Sequence, residues 1–252
     1  MSEVKFRFYE ELNDFLNEKR KKNIFDFEVE GNPSVKDTVE SFGVPHTEID
    51  MILVNGAPVN FEYNLKDGDF VSVYPEFENL DIANLTHLRE RPLRIPRFIA
   101  DIQLGKLAKY LRVLGFDTSY SNKLNEKEII NISNDEKRTI LTRSIFLLKN
   151  RNVIRGYWIR SQDPHQQLIQ VIHFSDLLSG IILFKRCSEC NGLLCTVPKE
   201  EIEDRLLPNT IKYFQEFHMC SNCFKIYWKG SHFKKILSFS ENIRKEVESL
   251  FT

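Results

Sequence analysis

The sequence lacks any apolar run near the ~20 residues that a membrane-spanning helix requires. Its first residues, Met1 to Phe6, are charged and do not read as a signal peptide. Together these argue against a helical membrane protein, and the expected location is cytoplasmic. Net charge is also lacking: 35 Lys and Arg against 36 Asp and Glu leave −1. No global field therefore attracts nucleic acid, and any such surface must be a local patch. Cysteine is scarce. In a reducing compartment the five present point to metal ligation or free thiols rather than disulfides. What the chain does have is phenylalanine, with 20 copies, which favours filled cores over disorder. Its 252 residues suffice for two domains, or for one with appendages.

Residues 1–78 carry the marks of a small α+β domain. Val4 to Tyr9 and Phe25 to Val29 alternate polar and apolar residues, as half-buried strands do. Ser34 is placed to cap a short helix, Val35 to Phe42, which Gly43 would end. Met51 to Val54 runs into Asn55-Gly56, a hairpin signal. Phe70 to Tyr74 forms a last strand, stopped by Pro75. Two strands, a helix, then strands is the order of a β-grasp domain. Residues 79–95 lack periodicity and read as a linker, with a basic stretch from Arg89 to Arg94.

From residue 96 the pattern becomes α/β, centred on the stretch Phe98 to Asp117 (FIADIQLGKLAKYLRVLGFD). Its apolar opening stops at Asp101. Leu104, Leu107, Ala108, Leu111 and Leu114 then recur at helical spacing, and Gly115 closes the helix. Phe116 to Tyr120 reads as a second strand, so the unit is β-α-β and the sheet parallel. In open α/β sheets ligands bind at the carboxyl ends of strands, where Asp101 stands. A carboxylate there either holds a divalent cation or caps the following helix. Leu124 to Ser133 predicts a helix with Glu126 and Glu128 in its first turn, where acids offset the dipole or serve a site. Thr139 to Thr142 and Val153 to Ile159 read as further strands. Arg143, Ser144 and a helical Ile145 to Lys149 follow the first of these, and a helix over 166–178 follows the second. Asp163 precedes that helix, near a strand end. Lys106, Lys109 and Arg112, three apart, form either a solvated helix face or a track for a phosphate backbone.

Cys187-Ser-Glu-Cys190 and Cys220-Ser-Asn-Cys223 are separated by 29 residues, 191–219. Two such turns close a tetrahedral, structural Zn²⁺ site, with Gly192 suited to the first knuckle. Glu200 to Leu207 is expected to be helical and to end at Pro208. Cys195 is left over and reads as a small buried hydrophobe, while His218 and His232 stand near the second pair as alternative ligands. This reading divides the chain into 1–78, a linker 79–95, an α/β domain 96–181, a ribbon 182–235 and a C-terminal helix 236–252.

Two resemblances add to this. Ile52 to Pro58 with Leu65 to Pro75 resembles the ubiquitin-like sulfur carriers, which act through a free C-terminal Gly-Gly. Here Glu76 follows and the chain continues, so docking a protein partner or stabilising the fold is the expected role. The stretch Phe98 to Asp117, the segment Ile140 to Arg143 and the ribbon ending Tyr227 to His232 resemble the PIN-like family named for the Mut-seven C-terminal RNase domain. That resemblance implies a PIN-like parallel-sheet fold with a zinc ribbon, preceded by a β-grasp domain. It implies RNA as substrate and a ribonuclease using Mg²⁺ or Mn²⁺. Carried over, Asp101 matches the first metal-binding Asp, and Glu126 or Glu128 the helical carboxylate. The family's Thr-Arg-Asp is Thr142-Arg143-Ser144 here. A neutral hydroxyl holds Mg²⁺ only with help from charged groups, and Asp163 and Asp117 are candidate stand-ins. The expectations are weakened hydrolysis or, as the alternative, RNA binding or an adaptor role without cleavage.

Overall fold

The computed structural model describes residues 2–75 and 96–250, so the expected linker with Arg89 to Arg94, and Glu76, lie outside the described residues. The fold forms two compact units. One takes in the described residues up to Pro75 together with Ser133–Glu136 and Thr142–Trp158; the other holds the remainder.

In the first unit a five-stranded sheet is built from β1 (Ser2–Phe8), β2 (Phe25–Val29), β3 (Met51–Val54), β4 (Ala57–Val59) and β5 (Phe70–Tyr74). Its order is β2-β1-β5-β3-β4, with β1 and β5 parallel in the middle. That is the β-grasp arrangement. Helix α1 (Val35–Ser41) covers one face; Ser34 Oγ accepts from Asp37 N at 3.1 Å, and Gly43 ends the helix at φ +108°. Asn55 and Gly56, both at positive φ, turn β3 into β4. Val4, Phe6, Phe8, Val35, Val39, Ile52, Val71 and Val73 form one buried core.

The same unit includes β9 (Gly156–Trp158) and α4 (Ile145–Leu148). The β-grasp sheet is not free-standing. Phe15 packs against Trp158 with ring centres 4.7 Å apart and planes tilted by 40°, Trp158 N donates to Glu48 Oε1 at 2.6 Å, and Lys149 Nζ donates to the Glu40 carbonyl at 2.7 Å. His46 lies between Glu40, 2.6 Å from Nδ1, and the Val153 carbonyl, 2.9 Å from Nε2.

In the second unit β6 (Arg97–Ala100) lies between β7 (Asp117–Ser119) and β8 (Thr139–Thr142), parallel to both. Helix α2 (Gly105–Val113) crosses from β6 to β7 and packs Leu107, Ala108 and Leu111 inward. Gly115 follows at φ +100°, and a Cβ there would meet the Ile182 carbonyl oxygen at 2.2 Å. Only glycine fits both the backbone and the space. Helices α3 (Glu126–Glu136) and α5 (Pro164–Phe174) complete the unit's α/β part, with α5 packed on α2.

The ribbon is a three-stranded antiparallel sheet, β10 (Leu194–Val197), β11 (Phe217–Cys220) and β12 (Ile226–Trp228), with Val197, Ile202 and Phe217 in its core. Between β10 and β11 the expected helix from Glu200 to Leu207 does not form. Two 3₁₀ turns, Lys199–Glu201 and Glu203–Arg205, take its place, and Pro208 opens helix α6 (Pro208–Tyr213). Proline suits a first helical position better than a stop, because its missing N–H would go unpaired there anyway. The last helix, α7 (Ser231–Glu248), begins five residues before position 236 and packs on α5.

Candidate metal centre and strand-end carboxylates

The four thiols of Cys187, Cys190, Cys220 and Cys223 lie within 4.8 Å of one another, and none is paired in a disulfide. Sγ of Cys187 is 3.6 Å from that of Cys223, and Sγ of Cys190 is 3.3 Å from that of Cys220. Four thiolates around a tetrahedral zinc stand about 3.8 Å apart, given Zn–S bonds of about 2.3 Å. The donor set and its spacing fit zinc.

The knuckles are built locally. Cys187 N donates to the Gly192 carbonyl at 2.8 Å, and a Cβ on Gly192 would sit 2.7 Å from Cys220 Sγ. Glycine lets the strand pass against the thiol. The Asn222 and Cys223 amides point at Cys220 Sγ, at 3.4 and 3.5 Å. Tyr227 Oη lies 3.0 Å from Cys187 Sγ. Burial works against ionising Cys187, but Tyr227 and the knuckle amides bring it down to about 7. Cys190 goes the other way, its burial pushing it up to about 12. Zinc is held by thiolates, so its binding would displace the thiol protons.

Among the described residues no histidine joins this cluster. His218 has a buried Nδ1 without a protein partner and meets Phe184 edge-on at 5.4 Å. Cys195 is exposed rather than buried, because it lies on the ribbon's edge strand β10.

The candidate carboxylates sit where strands hand over to helices. Asp101 follows β6; its amide donates to the Leu141 carbonyl at 2.9 Å, and its Oδ1 accepts from Ile102 N at 2.6 Å. Glu126 is exposed in the first turn of α3. Glu128 closes a capping box: its Oε2 accepts from Asn125 N at 2.8 Å, and Asn125 Oδ1 accepts from Glu128 N at 3.0 Å. Asp163 caps α5, accepting from His165 N and Gln166 N at 3.0 Å each. In the other unit Ser144 caps α4, its Oγ accepting from Leu147 N at 3.2 Å, and Arg143 before it has a buried Nε with no protein partner.

Among the described residues the cysteines are the one group of three or more Asp, Glu, His or Cys side chains close enough to share an ion. Asp101, Glu126, Glu128 and Asp163 do not converge into such a cage. Asp117 is no cation ligand either, since Arg138, Arg186 and Asn191 occupy its oxygens at 2.6, 3.1 and 2.7 Å.

The basic stripe on α2 is broken. Lys106 and Lys109 are exposed, with Lys109 Nζ 3.4 Å from Glu189 Oε1. Arg112 is only 4% exposed, so it cannot track a polyanion. Its guanidinium turns inward to the Thr118 and Glu189 carbonyls, both at 2.8 Å. Three-residue spacing rotates a helix by about 300° per step, enough to carry a third residue off a shared face.

Compared with known families, residues 96–239 match the Mut7-C RNAse domain, which is more than half of the chain. The chain belongs to the Mut7-C RNase domain family. Residues 1–81 match the Mut7-C ubiquitin domain, the module that precedes the Mut7-C domain here. Among solved structures, a putative molybdopterin converting factor subunit 1 from Pyrococcus furiosus is similar at 22% identity and a TM-score of 0.25. That similarity covers 31% of this chain and all of the other. No curated protein matches. The Mut7-C match spans both the strand-end carboxylates and the four cysteines, so nuclease unit and ribbon are parts of one family domain. No helix among the described residues is long and apolar enough to cross a membrane.

Proposed function

We propose that this Mut7-C protein hydrolyses RNA phosphodiesters with a cation that arrives together with the substrate. The observation that carries this reading is the placement of Asp101 at the carboxyl end of β6, which has a parallel neighbour on each side. Its backbone is tied to the Leu141 carbonyl of the neighbouring strand, which holds it at the strand end.

The carboxylates fit a cation whose remaining ligands are waters and a substrate phosphate, as Mg²⁺ commonly binds. They do not fit a standing three-carboxylate cage. Asp101 would hold the ion, and of Glu126 and Glu128, the two helical candidates, Glu126 would join it because Glu128 is engaged in the capping box. Mg²⁺ or Mn²⁺ supplies an activated water and offsets charge on the scissile phosphate. The chain's own contribution is to orient RNA. Lys106 and Lys109 on the exposed side of α2 meet the backbone, whereas Arg143, the other basic candidate, keeps its Nε buried. Zinc in the four-cysteine site is structural.

The second reading is RNA binding without cleavage. It is favoured by Ser144 in the family's acidic position and by the capping duties of Glu128 and Asp163. For the ubiquitin-like domain we propose a stabilising role, supported by its contacts with Lys149, Val153 and Trp158.

Mn²⁺ binding followed by electron paramagnetic resonance, with and without a non-cleavable RNA analogue, tests the substrate-borne cation. RNA should tighten Mn²⁺ binding, and Asp101→Ala should remove that effect. Tight binding without RNA, or binding indifferent to Asp101→Ala, would reject it.

A further inference from the structure

A run of polar contacts joins the first zinc knuckle to the turn that carries Asp101. It begins at Asn191, directly after Cys190, with φ +70°. The Asn191 side chain faces β7. Its Oδ1 accepts from Thr118 N at 3.0 Å, and its Nδ2 donates to Asp117 Oδ1 at 2.7 Å. Arg112 forms a second strut, donating to the carbonyls of Thr118 and Glu189, the latter within the knuckle. Arg186, just before Cys187, holds the Asn191 carbonyl at 2.9 Å and Asp117 Oδ2 at 3.1 Å.

Strand β7 is therefore an edge strand whose outer side is satisfied by the knuckle instead of by another strand. Three residues long, it has little pairing of its own with which to hold position. Tyr120 follows it immediately. The phenol donates to the Ile102 carbonyl at 3.0 Å. Its ring fills the space that a side chain on Gly105 would need: a Cβ there would lie 2.7 Å from Oη and 2.8 Å from Cζ. Ile102 and Gly105 bracket the 3₁₀ turn, Ile102–Leu104, that follows Asp101.

We infer that the zinc knuckle sets the position of the Asp101 turn through β7, with Asn191 and Tyr120 as the positioning residues at its two ends. The metal draws the thiols of both knuckles to one centre, and the turn that presents Asn191, directly after Cys190, is held with them. With zinc bound, Asn191 fixes Asp117 and Thr118, β7 keeps its register on β6, and Tyr120 bears on Ile102 and Gly105. With zinc gone, the outer partners of Thr118 and Asp117 are lost and Tyr120 is released. The coupling requires no RNA cleavage, and its readout contains none.

Hydrogen exchange on the full zinc-loaded chain tests it. Asn191→Gly removes the carboxamide while keeping the positive φ, which glycine adopts readily. Tyr120→Phe keeps the ring and removes the hydroxyl. Each should speed exchange at the Ile102 and Leu104 amides on the order of tenfold, the factor that one lost hydrogen bond gives. Amides in α5 should be unaffected, and zinc content should stay at the wild-type level. Because the links act in series, the double variant should exchange no faster than Tyr120→Phe alone. Chelating zinc should likewise speed the turn in wild type but not further in Tyr120→Phe. Unchanged exchange at Ile102 and Leu104 in Asn191→Gly, or additive effects in the double variant, would overturn the coupling. Should Asn191→Gly lose zinc, the chelation arms decide alone: equal acceleration in wild type and Tyr120→Phe would overturn it.

Discussion

Arg138 Nη1 donates to Asp117 Oδ1 across 2.6 Å, and both side chains are nearly sealed from solvent, 8% and 14% exposed. Burial opposes the charge on Asp117, but Arg138, Asn191 and Arg186 outweigh it and hold the carboxyl below its ordinary value. Asp117→Asn should therefore destabilise the chain by about 3 kcal/mol, because breaking one partner leaves buried guanidinium groups uncompensated. Urea unfolding of both proteins checks this.

The sign of the pH effect follows from the same depression. The stabilising contribution of Asp117 is present above the ordinary aspartate value of 3.8 and is lost as pH falls through the lower folded-state value. Acid unfolding of the wild type should thus be steeper below about pH 4 than that of Asp117→Asn. Parallel acid titrations of the two proteins would contradict the assignment.

Gly115 gives a steric prediction. Alanine there must accept φ +100° and a Cβ 2.2 Å from the Ile182 carbonyl oxygen. The backbone of residue 182 is itself held by its amide's bond to the Leu114 carbonyl at 3.0 Å, so it cannot move away cheaply. Gly115→Ala should lose more than about 2 kcal/mol, read by thermal unfolding.

Local chemistry made much of this legible. Alternation located β1 and β2, Asn55-Gly56 the hairpin, Gly115 the end of α2, and the paired Cys-x-x-Cys spacing the four-thiol cluster. What the chain does not announce is where long side chains turn. Lys109 and Arg112 look alike in sequence, yet one points outward and the other is consumed by two carbonyls. Asp117 and Asp101 both lie at strand ends, and nothing local marks Asp117 for its two arginine partners, from positions 21 and 69 residues away. Such partners come from tertiary folding, which no local pattern encodes. The contacts of Phe15 and Glu48 with Trp158 were unreadable for the same reason.

Zinc content is predicted to be one ion per chain. Protein purified without added metal should contain it by elemental analysis, and Cys187→Ser or Cys220→Ser should lose it along with thermal stability. Retention of full zinc by both variants would contradict the site.

Ser144→Asp addresses the departure at Thr142-Arg143-Ser144. Aspartate caps a helix as well as serine does, so α4 should stay formed. The variant should cleave RNA at a lower Mn²⁺ concentration than wild type, as an added anion strengthens cation binding. An unchanged Mn²⁺ requirement would remove Ser144 from the account.

The most direct measurement compares cleavage of single-stranded RNA by wild type and Asp101→Ala across a Mn²⁺ titration. Wild type should cleave, with activity rising to high Mn²⁺ because no standing cage concentrates the ion, and Asp101→Ala should not cleave at any concentration. Equal cleavage by the two proteins would contradict the assignment of Asp101, and so would RNA binding by wild type with no cleavage at all.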